Sequence, residues 1–200
     1  MAFNVQQFRS TLQFDGARSS LFDIIMTFPT AIATGGTAAG IVGGASEQVT
    51  FKARASSLPG DSLSSLTVNY FGREIKVAGS RTFPEWSFTV INDEDFIIRN
   101  TFERWMSGIN SHVGNLRSSN LISAFEYQRD AIIRQYSKSD PLNPIKTYKI
   151  VGAFPTDVSA IDVDWSNDAI EEFQVTFAYQ WWESMLTTDA ATAISGIQAV

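Results

Sequence analysis

Apolar and polar residues alternate along most of this chain. Trp86, Phe88 and Val90 alternate with Glu85, Ser87 and Thr89, which sets three large apolar side chains on one face of a strand. Phe22, Ile24, Met26 and Phe28 repeat the pattern. Val49, Phe51, Ala53 and Ala55 alternate with Thr50, Lys52 and Arg54 and predict another half-buried strand. Leu58-Pro59-Gly60-Asp61 is a turn signal. Leu66, Val68 and Tyr70, the tight reversal Phe71-Gly72-Arg73, then Ile75 and Val77 predict a hairpin. Strands resume at Ala131 to Tyr136 and around Tyr148 and Ile150, and Pro155-Thr156-Asp157 predicts a turn. Ile161, Val163 and Trp165 alternate with Asp162 and Asp164, and Ser166-Asn167-Asp168 suits a hairpin turn. Phe173, Val175, Phe177, Tyr179 and Trp181 give the cleanest period of two, so Ile170 to Trp182 is expected as one long strand with Trp181 inward and Trp182 outward.

One long helix is expected, from about Glu94 to Gly108. Ile98, Phe102, Trp105 and Ile109 form its apolar stripe, with Arg99, Glu103 and Arg104 on the other side. Asn92 and Asp93 stand where an N-cap is expected, with Glu94 and Asp95 in the first turn. A short helical turn is predicted near Val5 to Phe8. The sum is about eight or nine strands and one helix, hence a mainly β chain: an antiparallel β-sandwich or open barrel with one flanking helix. The whole chain, 1–200, reads as a single domain. It has an N-terminal arm (1–20), a Gly/Ala/Thr-rich insertion loop (29–47) and a C-terminal extension (184–200).

Composition narrows the chemistry. Two hundred residues bury on the order of 70% of their unfolded surface, so no covalent staple is required. There is no cysteine and one histidine, His112, which removes disulfides, thiolate metal sites and multi-histidine zinc centres. Ile24 to Ser46 carries no charge. Its glycines, threonines and Pro29 disfavour a spanning helix, so no membrane partner is expected. Met1-Ala2-Phe3-Asn4 lacks the basic and apolar regions of a signal peptide. Net charge is -6, with no Lys or Arg after Lys149. The C-terminal quarter therefore cannot grip nucleic acid through its phosphates.

The segment Lys76 to Phe96, KVAGSRTFPEWSFTVINDEDF, carries a resemblance. So do Ala131 to Tyr136, Gly152 to Val158, Asp164-Trp165 and Ile170 to Trp182. Together these stretches resemble the major tail-tube protein of contractile-tailed, T-even-like bacteriophages, across residues 19–28 and 48–183. The resemblance implies a structural virion protein of the viral tail, assembled in the host cytoplasm and needing no cofactor. It implies subunits in sixfold rings that stack into an inner tube through which the genome leaves. The partners it implies are further copies of the chain, a tail sheath protein, baseplate and tape-measure proteins, and viral DNA in transit.

Other chemistry is weak. Asn92 to Asp95 lacks the spacing of a calcium loop, and Gly35 to Gly44 lacks the Lys-Ser or Lys-Thr of a phosphate loop. His112 has no nucleophile elbow. No constellation supplies nucleophile, base and oxyanion donors, so an enzyme is not expected. The competing readings are a baseplate or tail-completion tube protein and a carbohydrate-binding β-sandwich using exposed tryptophan.

Within the tube reading, Asp162, Asp164 and Glu172 are expected to face the lumen, where acidic groups repel passing phosphates. Trp182, Pro59 and Gly60 are expected at contacts between subunits, since aromatic residues are enriched at interfaces. The strand at Ile170 to Trp182 has no Pro or Lys to block pairing, so it is expected as the open edge.

Overall fold

A computed structural model describes residues 4–12, 16–33, 37–139 and 142–184. Nine strands lie among these: β1 (Phe22–Met26), β2 (Ala53–Ser56), β3 (Ser62–Tyr70), β4 (Arg73–Thr82), β5 (Trp86–Ile91), β6 (Arg129–Tyr136), β7 (Pro144–Val158), β8 (Glu172–Ala178) and β9 (Trp181–Ser184). The helices are α1 (Val5–Thr11), α2 (Thr37–Lys52), α3 (Ile97–Ile109) and α4 (Ala124–Tyr127), with a 3-10 turn at Thr30–Ala33. All strand pairs are antiparallel. Seven strands form one sheet in the order β1-β6-β7-β8-β5-β2, with β9 also on β7, while β3 and β4 pair only with each other.

The fifteen-residue strand β7 organises the sheet. Its first half pairs with β6 and β9, and its second half with β8. The change of partner falls at Gly152, whose φ of +68° only glycine adopts without strain. A Cβ there would lie 2.9 Å from Gln180 Cγ. At the same corner the chain leaves β8 and enters β9, and Gln180 N–H donates to Val151 O at 3.0 Å.

Both halves of the sheet turn apolar faces onto α3. Trp86, Phe88, Val90, Phe173, Val175 and Phe177 come from one half, and Ile24, Met26, Ala131, Ile133 and Ile150 from the other. Ile98, Phe102 and Trp105 on α3 complete the core. Phe88 stacks on Phe177 with centroids 5.5 Å apart, and Phe102 meets Phe28, Phe88 and Phe177 edge-on. Trp105 Nε1 donates to Tyr127 O at 2.8 Å, so the indole is buried with its polar edge satisfied.

Several expectations change. Residues 37–52, expected partly as loop and partly as strand, form α2. Ala45 and Val49 lie four apart, which puts both on one helix face, and both are fully buried. Ser46 Oγ donates to Met26 O at 2.6 Å, tying α2 to β1. Only Ala53 to Ser56 remains strand.

The helix α3 starts at Ile97, and no acid stands in its first turn. Asp95 Oδ1 accepts from Ile97 N at 3.1 Å, and Phe96 precedes the helix with φ +51°. Asn92 instead donates from its side chain to Glu171, and Asp93 pairs with Lys52. Pro155 to Asp157 does not turn; β7 runs through it with a bulge. Residues 159–171 form no strand, because both edges of β8 are already occupied by β5 and β7. The expected long strand at 170–182 is two strands broken at Tyr179-Gln180, and β8 is internal rather than an edge. Residues 185–200 lie outside the described residues.

Candidate functional site

The expected contact residues come together at the base of the hairpin. Pro59 is buried. Gly60 O accepts from Trp182 Nε1 at 3.1 Å and from Tyr179 Oη at 3.4 Å. Trp182 is partly buried and meets Tyr148 edge-on at 5.6 Å. Burial and Asp61 push the Tyr179 phenol up from its ordinary value, so it stays a donor. The break at Gln180 resets the alternation: Trp182 turns toward the core cluster, while Trp181 is 45% exposed. The inward placement expected for Trp181 is thus corrected. Within one subunit, the hydrogen bond from Trp182 to Gly60 ties the base of the β3–β4 ribbon to the body.

From that anchor the ribbon leaves the body. Its reversal places Phe71 and Gly72 both at positive φ, +46° and +78°, the geometry that matches the twist of a two-residue hairpin. The cross-strand pairs are Leu66↔Val77, Val68↔Ile75 and Tyr70↔Arg73. Alternation therefore puts Leu66, Val68, Tyr70, Ile75 and Val77 on one face, with Arg73 at its tip. Thr67 and Asn69 face the other way with Lys76 and Glu74. The apolar face is about half exposed throughout, from 47% at Ile75 to 62% at Tyr70, and Phe71 at the tip is 92% exposed. A hairpin was legible in the sequence; that its apolar face has no cover among the described residues was not. Soluble proteins rarely expose an apolar patch of this extent unless it meets something.

The expected acidic residues separate. Asp162 and Asp164 lie on the exposed segment 159–171, not on a strand face. Asp164 Oδ1 accepts from Ser166 N at 2.9 Å and Ser166 Oγ at 2.8 Å. Those bonds hold its carboxyl below the usual range. Asn167 Oδ1 caps Ala169 N at 3.1 Å. The loop therefore has a built turn, and it presents Trp165 fully to solvent, with Val163 and Ile170 also exposed. Glu172 instead starts β8 and forms an ion pair with Arg54 of β2. Its charge is partnered inside the subunit.

No group of His, Cys, Asp or Glu among the described residues is arranged to hold a metal ion. His112 is exposed. No helix among them is long and apolar enough to cross a membrane.

The fold is a mainly β one: an antiparallel sheet packed on α3 and α2, with the exposed β3–β4 ribbon projecting from it. The family model for phage tail tube proteins matches residues 17–185, and the chain belongs to that family. It is 38% identical over 138 residues to the tail tube protein gp19 of Enterobacteria phage T4, covering 68% of this chain and 82% of that one. Among solved structures, the tube-terminating cap of the anti-feeding prophage superposes with a TM-score of 0.61 at 12% identity, covering 87% of this chain and 93% of that one. A chain of the sheath-tube complex of an extracellular contractile injection system, in its extended state, gives 0.55 at 11%, covering 92% and 99%. The protein is accordingly a tail tube structural protein of the T-even-like kind, a virion component whose relatives are structural rather than enzymatic.

Proposed function

We propose that the protein assembles with copies of itself into stacked sixfold rings that form the inner tail tube, and that this tube is the channel for DNA ejected into the host. The observation that carries this reading is the ribbon. It holds a row of apolar side chains about half exposed, on a pair of strands joined only to each other. An isolated two-stranded hairpin is marginal in water, and covering that face with another copy stabilises both partners. Head-to-tail contacts of this kind close into rings when the rotation permits.

The sheath is the expected outer partner, because the similar tube fold occurs in a sheath-tube complex. A baseplate and a tape-measure protein would start the tube and set its length, with assembly in the host cytoplasm. Asp162 and Asp164, exposed and acidic, suit a channel wall that repels phosphates over a screening range of about 8 Å.

Purified protein, concentrated at physiological salt and imaged by negative stain, should show open-ended tubes or stacked rings. Single particles alone, at every concentration and with baseplate seeds added, would refute the proposal.

A further inference from the structure

The ribbon needs a receiving surface, and the strand register limits where it can lie. Trp86 pairs with Phe177 at one end of the β5–β8 pair, and Ile91 with Glu172 at the other. The ribbon feeds into the Trp86 end, through Thr82 and the anchor at Gly60. The loop 159–171 joins the Glu172 end, where Asn92 N–H donates to Glu171 O at 2.8 Å. Ribbon and loop therefore sit at opposite ends of the same sheet. The six residues of β5 separate them by about 20 Å at roughly 3.3 Å per residue.

Their chemistry is complementary. The loop holds Asp162, Asp164, Asp168 and Glu171 and no cation, around the exposed apolar side chains Val163, Trp165 and Ile170. The ribbon, residues 62–82, holds Arg73, Lys76 and Arg81 against Glu74, and Arg81 is matched by Asp61 at 3.2 Å. Arg73 stands at the tip of the apolar face itself. One surface is apolar with a cationic tip; the other is a loop with an exposed tryptophan and a run of carboxylates along its sequence. Within a single copy their points of attachment lie at opposite ends of β5.

We propose that the ribbon of one copy docks on the Trp165 loop of the next, so that each subunit carries both halves of a head-to-tail contact. This rests on the self-assembly reading above and names the surface that completes it. Trp165 packs on the face bearing Val68 and Ile75, and Arg73 faces the loop carboxylates. It also gives Asp162 and Asp164 a contact role that competes with a channel-wall role.

The chain has no cysteine of its own, which makes the test direct. Val68→Cys is combined in turn with Val163→Cys, Trp165→Cys or Ile170→Cys, assembled under reducing conditions and then oxidised. A disulfide needs Cα atoms within about 7 Å, and a bond that joins two copies shows as dimer and higher mass on a non-reducing gel. The expected result is a ladder of cross-linked oligomers from at least one pair. Mixing Val68→Cys protein with the matching loop variant should give cross-linked dimers of the two. Trp165→Ala, whose side chain is fully exposed in the free subunit, should raise the concentration needed for assembly about tenfold or more. Assembled tubes with no ribbon-to-loop cross-link at any of the three positions would overturn the contact and leave the tube reading standing. A wild-type chain that never assembles would overturn both.

Discussion

Replacing Val68 and Ile75 by threonine tests the ribbon most sharply. The two residues face each other across the strands, and threonine keeps the strand preference of both positions while removing apolar surface. They are 53% and 47% exposed in the free subunit. Full burial of such a side chain contributes about 1.5–3 kcal/mol, so covering the exposed half contributes about 1 kcal/mol each. A threonine hydroxyl buried at the contact without a partner costs a further amount of about 1 kcal/mol. The pair together should weaken each contact by about 2–4 kcal/mol. At about 1.4 kcal/mol per factor of ten, this is a loss of roughly 30-fold to 700-fold in association. Sedimentation velocity across a concentration series reads the shift, and thermal unfolding of the dissociated subunit serves as the control. That melting temperature should hardly change, because the ribbon contributes nothing to the core around α3. Assembly at the wild-type concentration would refute the argument that this face is covered by another copy.

Three further outcomes follow from the geometry. Trp182→Phe removes the donor to Gly60 O and should cost about 1 kcal/mol in urea unfolding, with faster hydrogen exchange at residues 60–63 than elsewhere. Gly152→Ala places a side chain at φ +68° and 2.9 Å from Gln180 Cγ, so it should destabilise the subunit by about 1–3 kcal/mol by the same measurement. The Lys52 ammonium beside Asp93 holds its carboxyl below 3.8, aided by the Glu94 backbone N–H. A lowered folded-state value means stabilisation that is present above 3.8 and lost as pH falls through that lowered value. The stability of wild type over Asp93→Asn should therefore be constant from neutral pH down to about pH 4 and vanish at lower pH. A difference that grows on acidification would contradict this sign.

The elements with their own partners in sequence were legible. Trp86, Phe88 and Val90 alternate because β5 lies between β8 and β2 with one face on the core. Ile98, Phe102 and Trp105 recur at helical spacing because α3 has one buried side. What failed depended on distant neighbours. Val49 and Phe51 alternate as a strand would, yet the contact of Ala45 and Val49 with the core selects a helix, and Phe51 is left 80% exposed. Ile161, Val163 and Trp165 alternate equally well, but β8, the strand that follows them, already has both edges paired, with β5 and β7.

The reversed placement of Trp181 and Trp182 has one cause. The chain turns a corner at Gly152 and Gln180, and a break between strands shifts the side-chain alternation by one position. For the site, the hairpin and the acidic residues were legible as types. Their positions at opposite ends of one sheet follow only from the register of β5 on β8.

The long strand β7 has a mechanical consequence. Because one unbroken backbone belongs to both halves of the sheet, pulling those halves apart strains covalent bonds instead of unzipping a seam between strands. Bending and stretching in anything built from this subunit should therefore concentrate at the joints between blocks, leaving the blocks themselves stiff.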